Sequence, residues 1–168
     1  MEDWDLYDRY GEKLGKRVES GTALPEGTYR KIVHAWILNE NEEFLIQKRA
    51  SHLKWFPNKW ATTTGGVLST DIGVVSAVKR EIFEELGIDS KSINLSFDSD
   101  IILGNLIVSI WKGQVDRNLI NRIALNDEVA DVQWMNKTKI ETLRKEDNFA
   151  RYSQETFDIV YQFKYEQE

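Results

Sequence analysis

Cysteine is absent from the chain, and proline and histidine occur only twice each. Without cysteine there are no disulfides, no thiolate metal sites and no covalent thiol catalysis, and the redox compartment is left open. Positive charge is the minority sign: 22 Lys and Arg stand against 28 Asp and Glu, for a net charge of -6. That balance argues against a general nucleic-acid surface and leaves room only for a local basic pocket. Long apolar runs are missing too. The amino terminus, MEDWDLYDRYGEKLG, is charged, and nothing approaches the roughly 18 apolar residues that span a bilayer, so the expectation is a cytoplasmic protein with no membrane partner.

What is present suffices for a core. A chain of 168 residues fits one domain without a structural metal, and no repeat, low-complexity tract or linker divides it, so residues 1–168 are expected to fold as a single unit. Alternation over residues 3–7 and a turn at Gly11 predict a small opening hairpin within residues 1–28. The apolar run 32–38 reads as a central strand, and 43–48 (EFLIQK) returns as its antiparallel partner. Residues 50–59 have no period and read as a loop, and 60–64 are rich in β-formers. Further strands are expected over 93–97, 101–115 and 129–135, and helices over 138–145 and 153–165, with Ser153 as a cap. Strands outnumber helices and the longest helix lies mid-chain, which predicts an α/β or α+β sandwich on a mixed sheet.

The most informative stretch is 65–88, GGVLSTDIGVVSAVKREIFEELGI. Val75, Val78, Ile82 and Leu86 form a helical stripe that should face the sheet. Glu81, Glu84 and Glu85 occupy the adjoining edge, one turn apart, with Arg80 placed to offset Glu84. Two readings fit this pattern. Charge clusters on helices are usually solvated faces, but three carboxylates on one edge also suit a hard cation, Mg²⁺ or Mn²⁺ rather than Zn²⁺.

The register of the whole stretch resembles the Nudix box. That motif runs Gly, five residues, Glu, seven residues, Arg, Glu, an aliphatic, any residue, Glu, Glu, any residue, Gly, an aliphatic. Gly66, Arg80, Glu81, Ile82, Glu84, Glu85, Gly87 and Ile88 match it, and Ile72 stands where the family places its first Glu. The segments WDLYD, LPEGTYRKIVHAWILN, EFLIQKR, FPNKW and NDEVADVQW are similar to the branch of Nudix hydrolases related to isopentenyl-diphosphate isomerase. The resemblance implies an α/β/α sandwich with a mixed sheet, a loop-helix-loop motif at 65–88, and Mg²⁺-dependent hydrolysis of a small-molecule diphosphate linked to another moiety. It implies that Glu81, Glu84 and Glu85 bind metal or supply a base, that Gly65 and Gly66 lie near metal and phosphates, and that Glu128 adds a further carboxylate. Arg80 would orient Glu84; Lys48 and Arg49 end a strand at the cleft rim and would either reach phosphate or form a surface pair, and Trp55, with Phe56 and Trp60, would either pack or stack on a planar group. Homodimers are common in the family.

Ile72 can neither bind metal nor accept a proton, and Ser69, Thr70 and Asp71 make the loop unusual; Asp71 is a candidate substitute carboxylate or helix cap. A catalytically weakened domain that binds a nucleotide or a protein is therefore the alternative function. Isomerisation is disfavoured, because the isomerases use a cysteine and a histidine-rich metal site and this chain offers only His34 and His52. His34, in an apolar strand pattern, is expected to be a hydrogen-bonded structural residue.

Overall fold

The computed structural model describes residues 3–67 and 73–167. The expectations for Ser69, Thr70, Asp71 and Ile72 lie outside the described residues. Its axis is β3 (Arg30–Leu38), nine residues of alternating partition. Val33, Ala35 and Ile37 enter one core and Trp36 and Leu38 the other, as the two-residue strand period requires. On one side β3 pairs in parallel with β8 (Leu106–Gln114), from Arg30↔Leu106 to Leu38↔Gln114, and β7 (Asn94–Leu103) lies antiparallel outside β8.

On the other side β3 meets β4 (Phe44–Arg49) only at Leu38↔Phe44, and the two strands then part. The gap is filled by β5 (Trp60–Ala61), which pairs with β4, and β6 (Thr64–Val67), which pairs with β3. β9 (Val129–Met135) runs along the far side of β4. Two threonines secure this fork. The Thr63 hydroxyl donates to the Leu45 carbonyl and accepts from the Ile37 amide at 3.0 Å, and Thr62 donates to the Ala35 carbonyl at 2.7 Å. Side-chain hydroxyls thus satisfy buried backbone groups that the parted strands leave without a ladder partner.

Helix α1 (Val74–Leu86) covers one face of the sheet, burying Ala77, Val78, Ile82 and Leu86 against Val33, Ala35, Ile37 and Leu45. Each large aliphatic side chain so buried contributes roughly 1.5–3 kcal/mol. The helix starts at Gly73, which makes no side-chain cap, and ends at Gly87 in the left-handed conformation (φ 68°), whose N–H closes on the Phe83 carbonyl. Helices α2 (Lys137–Lys145) and α3 (Gln154–Val160) cover the other face with Ile140, Leu143, Phe157 and Val160 around Trp36, capped by Asn136 and Ser153. The result is the expected α/β/α sandwich on a mixed sheet. The opening hairpin also forms, β1 (Asp3–Tyr7) against β2 (Lys13–Glu19), with buried Asp5 held by Arg17 at 2.8 Å.

Four local expectations change. The run 101–115 is two strands, because Gly104 turns the chain with φ 62° between β7 and β8. EFLIQK pairs mainly with β9 and touches β3 at one position. Val75 is 46% exposed and Ala77 takes its place in the core stripe. The helix expected over 153–165 ends at Val160. Among the described residues no helix is long and apolar enough to cross a membrane.

Candidate active site

Burying one stripe of α1 fixes where its acidic edge points. Glu85, 7% exposed, is turned toward the fork in the sheet, where its Oε2 accepts from Gln47 Nε2 at 2.8 Å and from Thr64 Oγ1 at 2.7 Å. Gln47 is itself fixed, donating to the Thr63 carbonyl at 2.9 Å. One strand on each side of the fork therefore clamps a carboxylate supplied by the helix. Burial pushes the Glu85 carboxyl up to about 7; the Thr64 and Gln47 hydrogen bonds pull it down, and the charges of Glu81 and Glu128 push it further up.

Glu81, one turn earlier, is half-buried and also raised, first by burial and then by Glu84, with Arg80 opposing and Glu128 adding to the rise. Arg80 lies between two carboxylates, its Nη2 3.6 Å from Glu81 Oε1 and its Nε 3.7 Å from Glu84 Oε1. It offsets both, where the sequence suggested Glu84 alone. Glu128 enters from the loop before β9, which is tied to the core by the Glu128 carbonyl accepting from the Ala50 amide at 2.9 Å. Glu81, Glu84, Glu85, Glu128 and Gly65 line one cavity of about 320 Å³, with Arg49 at its wall.

A second cavity, of about 480 Å³, shares Gln47, Arg49, Gly65 and Glu85 with the first and continues between Arg30, His34, Trp55 and Tyr152. Trp55 is 66% exposed at this cavity, and its carbonyl accepts from Arg49 Nε at 2.7 Å, fixing the loop on the arginine. Gly65 must be a glycine here, because a Cβ would come within 2.8 Å of the His34 ring. Gly66 sits in β6 opposite Val33.

The structure lines the two cavities with seven of the ten sequence candidates, Glu81, Glu84, Glu85, Glu128, Arg49, Trp55 and Gly65; Arg80 contacts two of these carboxylates, and Gly66 follows Gly65 in β6. Lys48 is the tenth and lines neither, its ammonium lying 6.0 Å from the centroid of the Trp60 ring. His34 is half-buried at the larger cavity, with its ring edge-on to Tyr152 at 5.1 Å, and its buried Nδ1 has no hydrogen-bond partner among the described residues, contrary to the expected bonded histidine. Burial alone pushes its pKa down to about 4, so it is neutral near pH 7. Gln47, Thr64 and Arg30 were missed. A polar Gln47 in step with apolar Leu45 was the available signal for the first.

The donor chemistry fits a hard divalent cation: four carboxylates and a glycine backbone line one cavity, with no imidazole among them. Among the described residues no three Asp, Glu or His side chains form a ready-made ion cage.

Comparison with known proteins defines the class. The NUDIX domain family model matches residues 28–156, so the chain belongs to the Nudix family. It is 32% identical over 154 residues to an uncharacterised Nudix hydrolase of Listeria innocua and 31% identical to one of Listeria monocytogenes, covering 90% of this chain and of each relative. The fold is shared with the DR0079 protein of Deinococcus radiodurans, at a TM-score of 0.73 and 16% identity over 94% of this chain and 97% of that one.

Proposed function

We propose that the chain is a divalent-metal-dependent hydrolase acting on a diphosphate that links a nucleoside or related organic group to another moiety. The observation that carries this reading is the buried Glu85 carboxylate, clamped by Gln47 and Thr64 at the junction of a carboxylate-lined cavity with a larger one. Glu81, Glu84, Glu85, Glu128 and the Gly65 backbone would hold Mg²⁺ or Mn²⁺, which supplies charge neutralisation of the diphosphate oxygens and polarises water. Glu85 is the fixed member of the set, because Gln47 and Thr64 leave it a single orientation. Arg80 lies between Glu81 and Glu84 and reduces their mutual repulsion. Arg49, common to both cavities, binds the diphosphate as it crosses between them, and Glu81 serves as a further ligand or as the base that takes the proton from the attacking water. Trp55 covers the outer part of the larger cavity. In this reading residues 1–28 are an extension to the Nudix unit, the location is cytoplasmic, and a homodimer is compatible with the site.

A second reading is motivated by Ile72, which removes the first box carboxylate. In it the domain binds a nucleotide or a protein with negligible turnover. The branch likeness to isopentenyl-diphosphate isomerase leads to no third reading, since the chain has no cysteine to carry the proton. A panel of nucleoside diphosphate sugars, dinucleotides and isoprenoid diphosphates, assayed for phosphate-bearing products with Mg²⁺ and with EDTA, separates these functions. Metal-dependent turnover of at least one member is expected. Binding without turnover would favour the second reading, and neither would exclude both.

A further inference from the structure

The larger cavity ends in a charge that the hydrolytic site does not use. Arg30 opens β3 on the same strand face as His34, two residues before Ile32 and its pairing with Val67 on β6. Its guanidinium carbon lies 4.4 Å from the centroid of the Trp4 ring. The hairpin that carries Trp4 is locked to the strand by reciprocal bonds between Tyr7 and Tyr29, at 2.8 and 2.9 Å, next to Arg30 itself. Lys31, on the opposite strand face, is held by the Gly11 carbonyl at 3.3 Å and does not compete for the cavity.

Among the described residues no carboxylate pairs with Arg30 and no carbonyl accepts from its guanidinium, although it is half-buried and burial lowers its pKa. A guanidinium stays charged under such pressure, and it presents five donors in a planar fork suited to carboxylate or phosphate. The Trp4 face holds the cation without consuming those donors. Four residues of strand, about 13 Å, separate Arg30 from His34, which stands opposite Gly65 at the carboxylate cavity. Arg30 therefore stands four strand residues along the cleft from the carboxylate cavity, whose wall carries Arg49.

We propose that Arg30 is a specificity-determining residue that binds a second anionic group, a phosphate or a carboxylate, on the part of the substrate lying beyond the diphosphate, and that Trp4 is its positioning residue. This rests on the diphosphate reading above.

Two pairs of compounds isolate the claim, each sharing its diphosphate and differing by one anion: NADP⁺ against NAD⁺ for phosphate, and UDP-glucuronate against UDP-glucose for carboxylate. Binding is measured by titration calorimetry and hydrolysis by product release with Mg²⁺, for wild type, Arg30→Gln, Arg30→Lys, Trp4→Leu and Trp4→Phe. In wild type the anionic member of at least one pair binds about ten- to a hundredfold more tightly, the range of a charge-assisted bidentate contact. The responding pair identifies the anion. Arg30→Gln brings that ratio to about one, Arg30→Lys keeps part of it, Trp4→Leu lowers it, and Trp4→Phe restores it. A wild-type ratio near one in both pairs overturns the inference, as does a ratio that Arg30→Gln leaves unchanged. In the latter case Trp4 and Arg30 are a strut for the hairpin. Hydrolysis of the compounds without any such preference would leave the diphosphate reading standing. The preference without hydrolysis would do the reverse.

Discussion

Glu85 is the buried, doubly hydrogen-bonded carboxylate of the candidate site, and the two donors on it make its position testable. Thr64→Val keeps the volume and removes one hydrogen bond; Gln47→Leu removes the other. Each is expected to cost about 10- to 100-fold in Mg²⁺ affinity or turnover, the usual effect of losing a group that orients a metal ligand, with the far-ultraviolet circular dichroism unchanged. An effect under twofold in both would mean that Glu85 needs no orientation. His34 makes a separate prediction, on stability. Its folded pKa of about 4 lies below the ordinary 6.5, so between these values the unfolded chain binds a proton that the folded chain refuses. The stability this provides is complete above about pH 6.5 and is lost as pH falls toward 4, by up to about 3 kcal/mol. Urea unfolding of wild type and His34→Gln across that range should show the wild type losing more stability on acidification. Parallel curves would show that His34 is already protonated or solvated in the fold.

At the scale of elements, the site exists because β3 and β4 part after a single pairing and the threonines of 62–64 seal the gap. Thr63→Val would strand the Ile37 amide and the Leu45 carbonyl in a fully buried place. A loss of about 1–3 kcal/mol is expected for leaving such a group unsatisfied, read as a lower urea midpoint with an unchanged slope. Gly87→Ala attacks the other end of the α1 frame. Its φ of 68° suits glycine, and a Cβ there would meet the Ala124 side chain and carbonyl at 3.0 Å, so a loss of about 1–2 kcal/mol is expected by the same measurement.

The elements also show what could be read in advance. Helix α1 and its acidic edge were legible, since periodicity and spacing are local properties of the chain. The β7–β8 hairpin was also legible, since Gly104 followed by Asn105 between two apolar segments carries a turn signal that a single strand over 101–115 passes over. The clamp on Glu85 was not legible, because Gln47, Thr64 and Glu85 are 38 and 21 residues apart and meet only after the sheet has forked. Arg30 and Trp4 were invisible for the same reason, brought together by hairpin docking rather than by any local pattern.

Across the whole molecule, two cores lie on either side of the seven-stranded sheet, and the candidate site groups converge at its fork from α1, β4, β6 and the loop before β9. A cation bound by the four carboxylates should stabilise this assembly by mass action, about 2.7 kcal/mol at a concentration a hundred times its dissociation constant. Thermal unfolding with and without Mg²⁺ should show a raised midpoint in wild type and a smaller rise in Glu81→Gln. Restoring the box with Ile72→Glu should raise turnover if the missing carboxylate limits it, and unchanged turnover would mean that the site is complete without it. The most direct test of the account is the rate of diphosphate hydrolysis by Glu85→Gln beside wild type, in saturating Mg²⁺, on the best compound of the panel. The account predicts metal-dependent turnover in wild type and a loss of at least about a hundredfold in a variant that remains folded. Turnover within a few fold of wild type would contradict it.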